Sequence, residues 1–176
     1  MSRWPKLLGP ILAGVLAVTA CARPAAPTGA ADPPARDQAS VAERADLNFT
    51  VATLDGGTFD GRSLAGKPAV LWFWAPWCPT CAAEAPHVRQ FADQYAGKIT
   101  MVGVAGLDKV ANMHRFVDLT NVDNIPHLAD EQGVVWRRFG VTAQSTYALL
   151  DASGTIVHRG YLDEADLGRT LARLAD

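Results

Sequence analysis

Ala69-Val70-Leu71-Trp72-Phe73-Trp74-Ala75-Pro76-Trp77-Cys78-Pro79-Thr80-Cys81 is the stretch on which the reading of this chain turns. Ala69 to Trp74 is an unbroken apolar and aromatic run, the pattern of a strand covered on both faces. Ala75-Pro76 ends it. A helix is predicted from near Cys78 to about Tyr95, with Gly97 closing it. Cys78 and Cys81 therefore fall where a buried strand hands over to a helix. In the first turn the unsatisfied backbone N–H groups and the macrodipole favour a negative group, which lowers the thiol pKa and makes Cys78 the nucleophile. Pro79 suits the first helical positions, where its missing N–H costs nothing. Cys81, three residues on, lies on the same helical face, within reach of the Cys78 sulfur and shielded from solvent. Attack by Cys78 on a partner gives a mixed disulfide that Cys81 resolves.

Other uses of a C-x-x-C pair fit less well. A zinc half-site needs a second C-x-x-C or an H-x-x-x-H, and only His87 lies near. Haem attachment requires histidine after Cys81, and Ala82 stands there. A purely structural disulfide over so short a loop constrains little of the chain. The third cysteine, Cys21, is remote, and three cysteines are too few for a disulfide-stapled scaffold.

Outward from this stretch, strand and helix patterns alternate. Phe49 to Leu54 alternates and ends at the turn Asp55-Gly56-Gly57. Ile99 to Ala105 reads as a second buried strand, and Val110, Met113 and Val117 place an amphipathic helix over about 109–120. A short helix over about 132–139 ends at Gly140. Tyr147 to Leu150, the turn Asp151-Ala152-Ser153-Gly154, and Thr155 to His158 predict a hairpin. Leu167, Leu171 and Leu174 mark a C-terminal helix. The class is α/β, a central mixed sheet covered by helices.

The N-terminus reads as an address. Arg3 and Lys6 precede 14 uncharged residues, Leu7 to Ala20, too short a run for a bilayer span and right for the apolar part of a secretory signal. Val18-Thr19-Ala20-Cys21 resembles a bacterial lipobox, which makes Cys21 the lipidated mature N-terminus. Residues 21–45, rich in Ala and Pro, have no apolar period and read as a tether, which leaves 46–176 as the folded domain. The 176-residue chain carries 16 basic and 18 acidic side chains, net −2. Loss of residues 1–20 leaves 14 basic and 18 acidic, net −4. No basic footprint for nucleic acid is present, and no polybasic patch for anionic lipid, so anchoring would rest on acyl chains.

The run Lys67 to Cys81, with Glu84 and Pro86 after it and Val102 to Asp108 further on, resembles the membrane-tethered, extracytoplasmic thioredoxin-like thiol-disulfide oxidoreductases of the TlpA, ResA and CcmG kind, their mycobacterial lipoproteins above all. The resemblance covers about 47–176. It implies a thioredoxin fold with an N-terminal strand extension and an insertion before the short helix. Pro86 matches a proline that bends the active-site helix in that family. Trp72 stands where cytoplasmic thioredoxins carry a buried aspartate, and Glu84 fits the slot of the glutamate that replaces it, beside Cys81 at i+3 for proton transfer directly or through one water. A solvated surface acid is the alternative for Glu84. The family's cis-proline loop aligns with Gln144-Ser145-Thr146, so Ser145 replaces the proline. A cis peptide before a non-proline residue costs about 2.5–4 kcal/mol, which leaves Gln144-Ser145 free to be trans.

The expectation is an exported, lipid-anchored thiol-disulfide oxidoreductase that acts on exported protein thiols as a monomer, with a membrane redox partner. Cys78 and Cys81 form a redox-active disulfide, Glu84 shuttles the proton, and Trp77, Pro79, Thr80, Gln144, Ser145 and Thr146 form the substrate platform. Neither metal nor dissociable cofactor is required. The alternatives are a reductant for cytochrome c maturation, a binding module without turnover, and a thiol peroxidase. The last needs a Thr or Ser shortly before the reactive cysteine, where Trp74-Ala75-Pro76-Trp77 supplies none.

Overall fold

The computed structural model describes residues 43–176; the expected signal segment, Cys21 and the expected tether up to residue 42 lie outside the described residues. The elements follow in the order β1 (Thr50–Ala52), β2 (Thr58–Asp60), a 3-10 turn (Gly61–Leu64), β3 (Ala69–Trp74), α1 (Pro79–Gln94), β4 (Thr100–Gly106), α2 (Val110–Thr120), β5 (His127–Asp130), α3 (Val134–Arg138), β6 (Thr146–Leu150), β7 (Ile156–Gly160) and α4 (Glu164–Ala175). Five strands form one sheet in the order β5-β4-β3-β6-β7. β3 runs parallel to β4 and β4 to β5, while β6 is antiparallel to both β3 and β7. This is the mixed sheet flanked by helices that the resemblance implies.

β3 lies at the centre, and all six of its residues are buried. Its side chains alternate between two cores, as the pleat requires. Val70, Trp72 and Trp74 pack with Cys81, Ala85 and Val88 of α1, Met113 and Phe116 of α2, and Leu167 and Leu171 of α4. Ala69, Leu71 and Phe73 pack on the other face with Phe49, Val104, Val135, Trp136 and Phe139. Each large side chain removed from water is worth about 1.5–3 kcal/mol, so β3 anchors both layers.

Trp74 stacks on Phe116 with ring centres 4.3 Å apart. Its indole N–H donates to His127 Nδ1 at 3.2 Å, and His127 Nε2–H donates to the Val122 carbonyl at 2.7 Å. That pair of bonds requires a neutral imidazole with its proton on Nε2, and burial lowers the pKa of His127 in the same direction. Gly103, on the strand between them, makes room for this bond: a Cβ there would run into the His127 ring and the Trp74 indole nitrogen.

The structure departs from the sequence reading in its short pieces. Of the strand expected over 49–54, Thr50–Ala52 is regular, paired with β2, and Thr53 makes an isolated bridge to Leu128. β2 and β5 have three and four residues, too few to display a period. Upstream of the expected domain start at residue 46, Arg44 bridges Thr155, the Ala45 N–H bonds to the Gly154 carbonyl and the Ile156 N–H to the Glu43 carbonyl. These are backbone bonds, to which an apolar pattern is blind.

Candidate active site

α1 starts one residue later than the cysteine, so Cys78 is its N-cap and Pro79 its first residue. The Cys78 sulfur accepts the Cys81 backbone N–H at 3.0 Å. The helix thus directs one of its unsatisfied donors at this sulfur, as expected for a site that stabilises a thiolate. Cys78 and Cys81 are joined by a disulfide with Cα atoms 5.3 Å apart. Cys78 keeps 4% of its surface exposed and Cys81 none, so an incoming sulfur can reach only Cys78.

Trp77, Pro79 and Thr80 are exposed around this point. The Trp77 indole N–H donates to the Leu107 carbonyl at 3.3 Å, tying the approach to α1 to the end of β4. Leu107 holds that position with a positive φ of 61°, an uncommon conformation for a residue with a branched side chain. Beside it runs a groove of about 400 Å3 lined by Pro76, Trp77, Asn112, Arg115, Phe116 and Leu119.

Glu84 is no solvated acid. It is half-buried one turn beyond the dithiol, and its Oε2 accepts the Trp72 indole N–H at 3.2 Å, the Tyr147 hydroxyl at 3.2 Å and the Ser145 hydroxyl. Oε1 is buried and has no hydrogen-bond partner among the described residues. Burial, with the negative charge of Glu84 and the hydrogen bond to it, pushes the Tyr147 hydroxyl far above its ordinary range, so Tyr147 stays protonated and donates.

The Gln144-Ser145 peptide is cis, which settles the isomer that the sequence left open. Gln144 and Thr146 are half-buried, and the Thr146 hydroxyl turns back to the Ala143 carbonyl at 2.7 Å. Ser145 is buried with its side chain turned inward to Glu84 and Trp72, not outward into the substrate platform. Sequence reading placed the loop opposite α1 and missed the hydroxyl's partner. It also missed Trp72 and Tyr147 as donors. The signal available was a polar tip on each of two otherwise apolar strands, which tends to find a partner when buried. Among the described residues no group of three or more His, Cys, Asp or Glu could hold a metal ion.

Residues 38–173 match the family model described as Redoxin. The chain belongs to the Redoxin family. This Redoxin-family chain is 47% identical over 116 residues to the soluble secreted antigen MPT53 of Mycobacterium tuberculosis, a match covering 66% of each, so the chain spans just under two-thirds of that relative's length. It is 30% identical over 132 residues to the thiol-disulfide oxidoreductase ResA of Halalkalibacterium halodurans, covering 73% of this chain and 74% of ResA. The solved structure of MTB DsbF in its mixed oxidized and reduced forms superposes with a TM-score of 0.69 at 51% identity, covering 73% of this chain and 96% of that one. A secreted Mycobacterium tuberculosis disulfide oxidoreductase homologous to E. coli DsbE gives 0.67 at 41% identity, covering 73% and 97%.

Proposed function

We propose that this Redoxin-family chain is a protein thiol-disulfide oxidoreductase of the extracytoplasmic space, held at the membrane by lipid on Cys21, that forms disulfides in exported proteins. One observation carries the reading: a Cys78–Cys81 disulfide sits at the start of α1, and of the pair only Cys78 keeps any exposed surface. Relatives bearing the names thiol-disulfide oxidoreductase and disulfide oxidoreductase support it.

A substrate thiolate attacks Cys78 Sγ; the bond to Cys81 breaks, and Cys81 leaves as a thiolate that takes a proton from Glu84. The second substrate thiolate then attacks the mixed disulfide and Cys78 leaves. The substrate gains one disulfide and loses two electrons, which the reduced pair carries to a membrane redox partner. In the reverse direction Glu84 accepts the Cys81 proton and Cys81 attacks Cys78. The two sulfurs hold the electrons themselves, with no dissociable cofactor, and the protein acts as a monomer. The lipobox Val18 to Cys21 supports the anchor. The described residues contain no helix long and apolar enough to cross a membrane.

Refolding of a reduced, disulfide-containing protein and reduction of insulin, assayed side by side, test the direction. Faster refolding with a reduction potential above that of the glutathione buffer is the expected result. Insulin reduction alone, with a low potential, would assign the chain as a reductant, for instance for apocytochrome c. Thiolate stabilisation decides between them, at about 1.4 kcal/mol per 30 mV for a two-electron couple. Detergent-phase partition of the native chain, lost in Cys21→Ala, tests the anchor.

A further inference from the structure

We infer that Ser145, Trp72 and Tyr147 form a three-donor clamp on one oxygen of Glu84, making them positioning residues that leave the other oxygen free to exchange the proton of Cys81. The inference rests on the reading of Glu84 as the proton shuttle and says how that residue is held to its task.

Three separate elements supply the donors. Trp72 comes from the centre of β3, Ser145 from the loop before β6, and Tyr147 from β6 itself, next to Trp72 in the strand register. All three bonds end on Oε2, with Trp72 also donating to the Ser145 hydroxyl at 2.9 Å, so that the serine oxygen both accepts and donates. A carboxylate oxygen that already accepts three hydrogen bonds has little lone-pair capacity left. Oε1 is buried and unpartnered, and that is the oxygen left able to take a proton. An orphaned buried acceptor is costly to a fold, and the cost is consistent with an oxygen kept open for reaction.

The departure at residue 145 acquires a role in this arrangement. Proline has no side-chain donor and could not close the clamp; serine in its place binds the acid directly. A cavity of about 200 Å3 adjoins Glu84 and Tyr147 and reaches His87, Tyr161, Asp163 and Glu164. His87 is paired with Glu164 at 3.2 Å, and Asp163 caps α4 through the Asp166 N–H at 2.8 Å, so neither competes for Glu84. The cavity gives water a route to Glu84. In the resolving direction the Cys81 S–H bond breaks and its proton goes to Oε1. The sulfur's electron pair then forms the bond to Cys78, and the partner leaves as a thiolate. Glu84 returns the proton to water through the cavity.

The test measures two rates separately in the full chain: attack of Cys78 on a disulfide substrate, and resolution of the mixed disulfide by Cys81. Ser145→Ala and Tyr147→Phe are expected to slow resolution about three- to tenfold each while leaving attack unchanged, and Ser145→Thr, which keeps the hydroxyl, is expected to restore the rate. A fold defect alone would move both steps together and would not discriminate Thr from Ala. Should Ser145→Ala fail to fold, Tyr147→Phe decides, since it keeps the ring. Normal resolution in both variants with slow resolution in Glu84→Gln overturns the clamp and spares the shuttle. Normal resolution in Glu84→Gln overturns the shuttle itself.

Discussion

The two faces of β3 are built from the same kinds of residue and do different things. Leu71 and Phe73 face a layer in which Phe73 meets Phe139 and Trp136 at ring distances of 5.7 Å. The one indole N–H of that layer goes to a backbone carbonyl, from Trp136 to Val104 at 3.2 Å. Trp72 and Trp74, on the opposite face, spend their indole N–H groups on titratable side chains, Glu84 and His127. One face is packing. The other is packing plus buried polarity, and the dithiol sits on it. A strand can therefore serve a site without carrying a charged residue, provided that its aromatic side chains have polar edges.

The sharpest break between the faces is expected at their extremes. Cys78→Ser abolishes thiol-disulfide turnover with the fold retained, measured by insulin reduction and by melting temperature. Phe73→Ala does the reverse: a cost of about 3–5 kcal/mol from lost burial and cavity formation, read by denaturant unfolding, with near-normal specific activity in the folded fraction. Gly103→Ala tests the seam, where an added methyl meets the His127 ring and the Trp74 indole; about 1–3 kcal/mol is expected, and a neutral result would mean that this contact relaxes freely.

Trp72→Phe sharpens the contrast, because it keeps an aromatic ring in this fully buried position while removing the indole N–H together with the five-membered ring that carries it. A loss of about 1–2 kcal/mol is expected, together with slower resolution of the mixed disulfide. The smallest effect belongs to His127. Burial holds its pKa below the ordinary value of 6.5, so the unfolded chain binds its proton first. Its contribution to stability is complete above about pH 6.5 and declines as pH falls towards the lowered folded value. The melting temperature of the native chain should fall more steeply between pH 6.5 and 5 than that of His127→Gln; parallel curves would remove His127 from the account.

What was legible in the sequence follows from range. The apolar run of β3, the cysteine spacing and the helix start are local, and so are the 146–160 hairpin and the leucine spacing of α4. Those elements stand where the pattern puts them, within a residue or two. Glu84 was found through the family resemblance, which places a glutamate at i+3 from Cys81, but its surroundings were not, because its donors Ser145 and Tyr147 come from 61 and 63 residues away. Those contacts depend on β6 inserting beside β3, which no window of sequence shows. β5 escaped for a related reason: His127-Leu128-Ala129-Asp130 has polar residues at both ends, and each is buried by a specific partner, Trp74 for the one and the α3 N–H groups for the other.

The same difference in range separates two clocks. Cys78 and Cys81 are three residues apart, close in any conformation of the chain, whereas two of the three partners of Glu84, Ser145 and Tyr147, lie a third of the protein downstream. A chain emerging N-terminus first can be oxidised at this pair before residues 145–147 have arrived, since closing so short a loop needs no tertiary structure. Oxidation of the cysteines thus records only that the pair met an oxidant. A preparation can be fully oxidised by thiol counting and still contain molecules without a folded site, and single-turnover kinetics, rather than redox titre, distinguish the two populations.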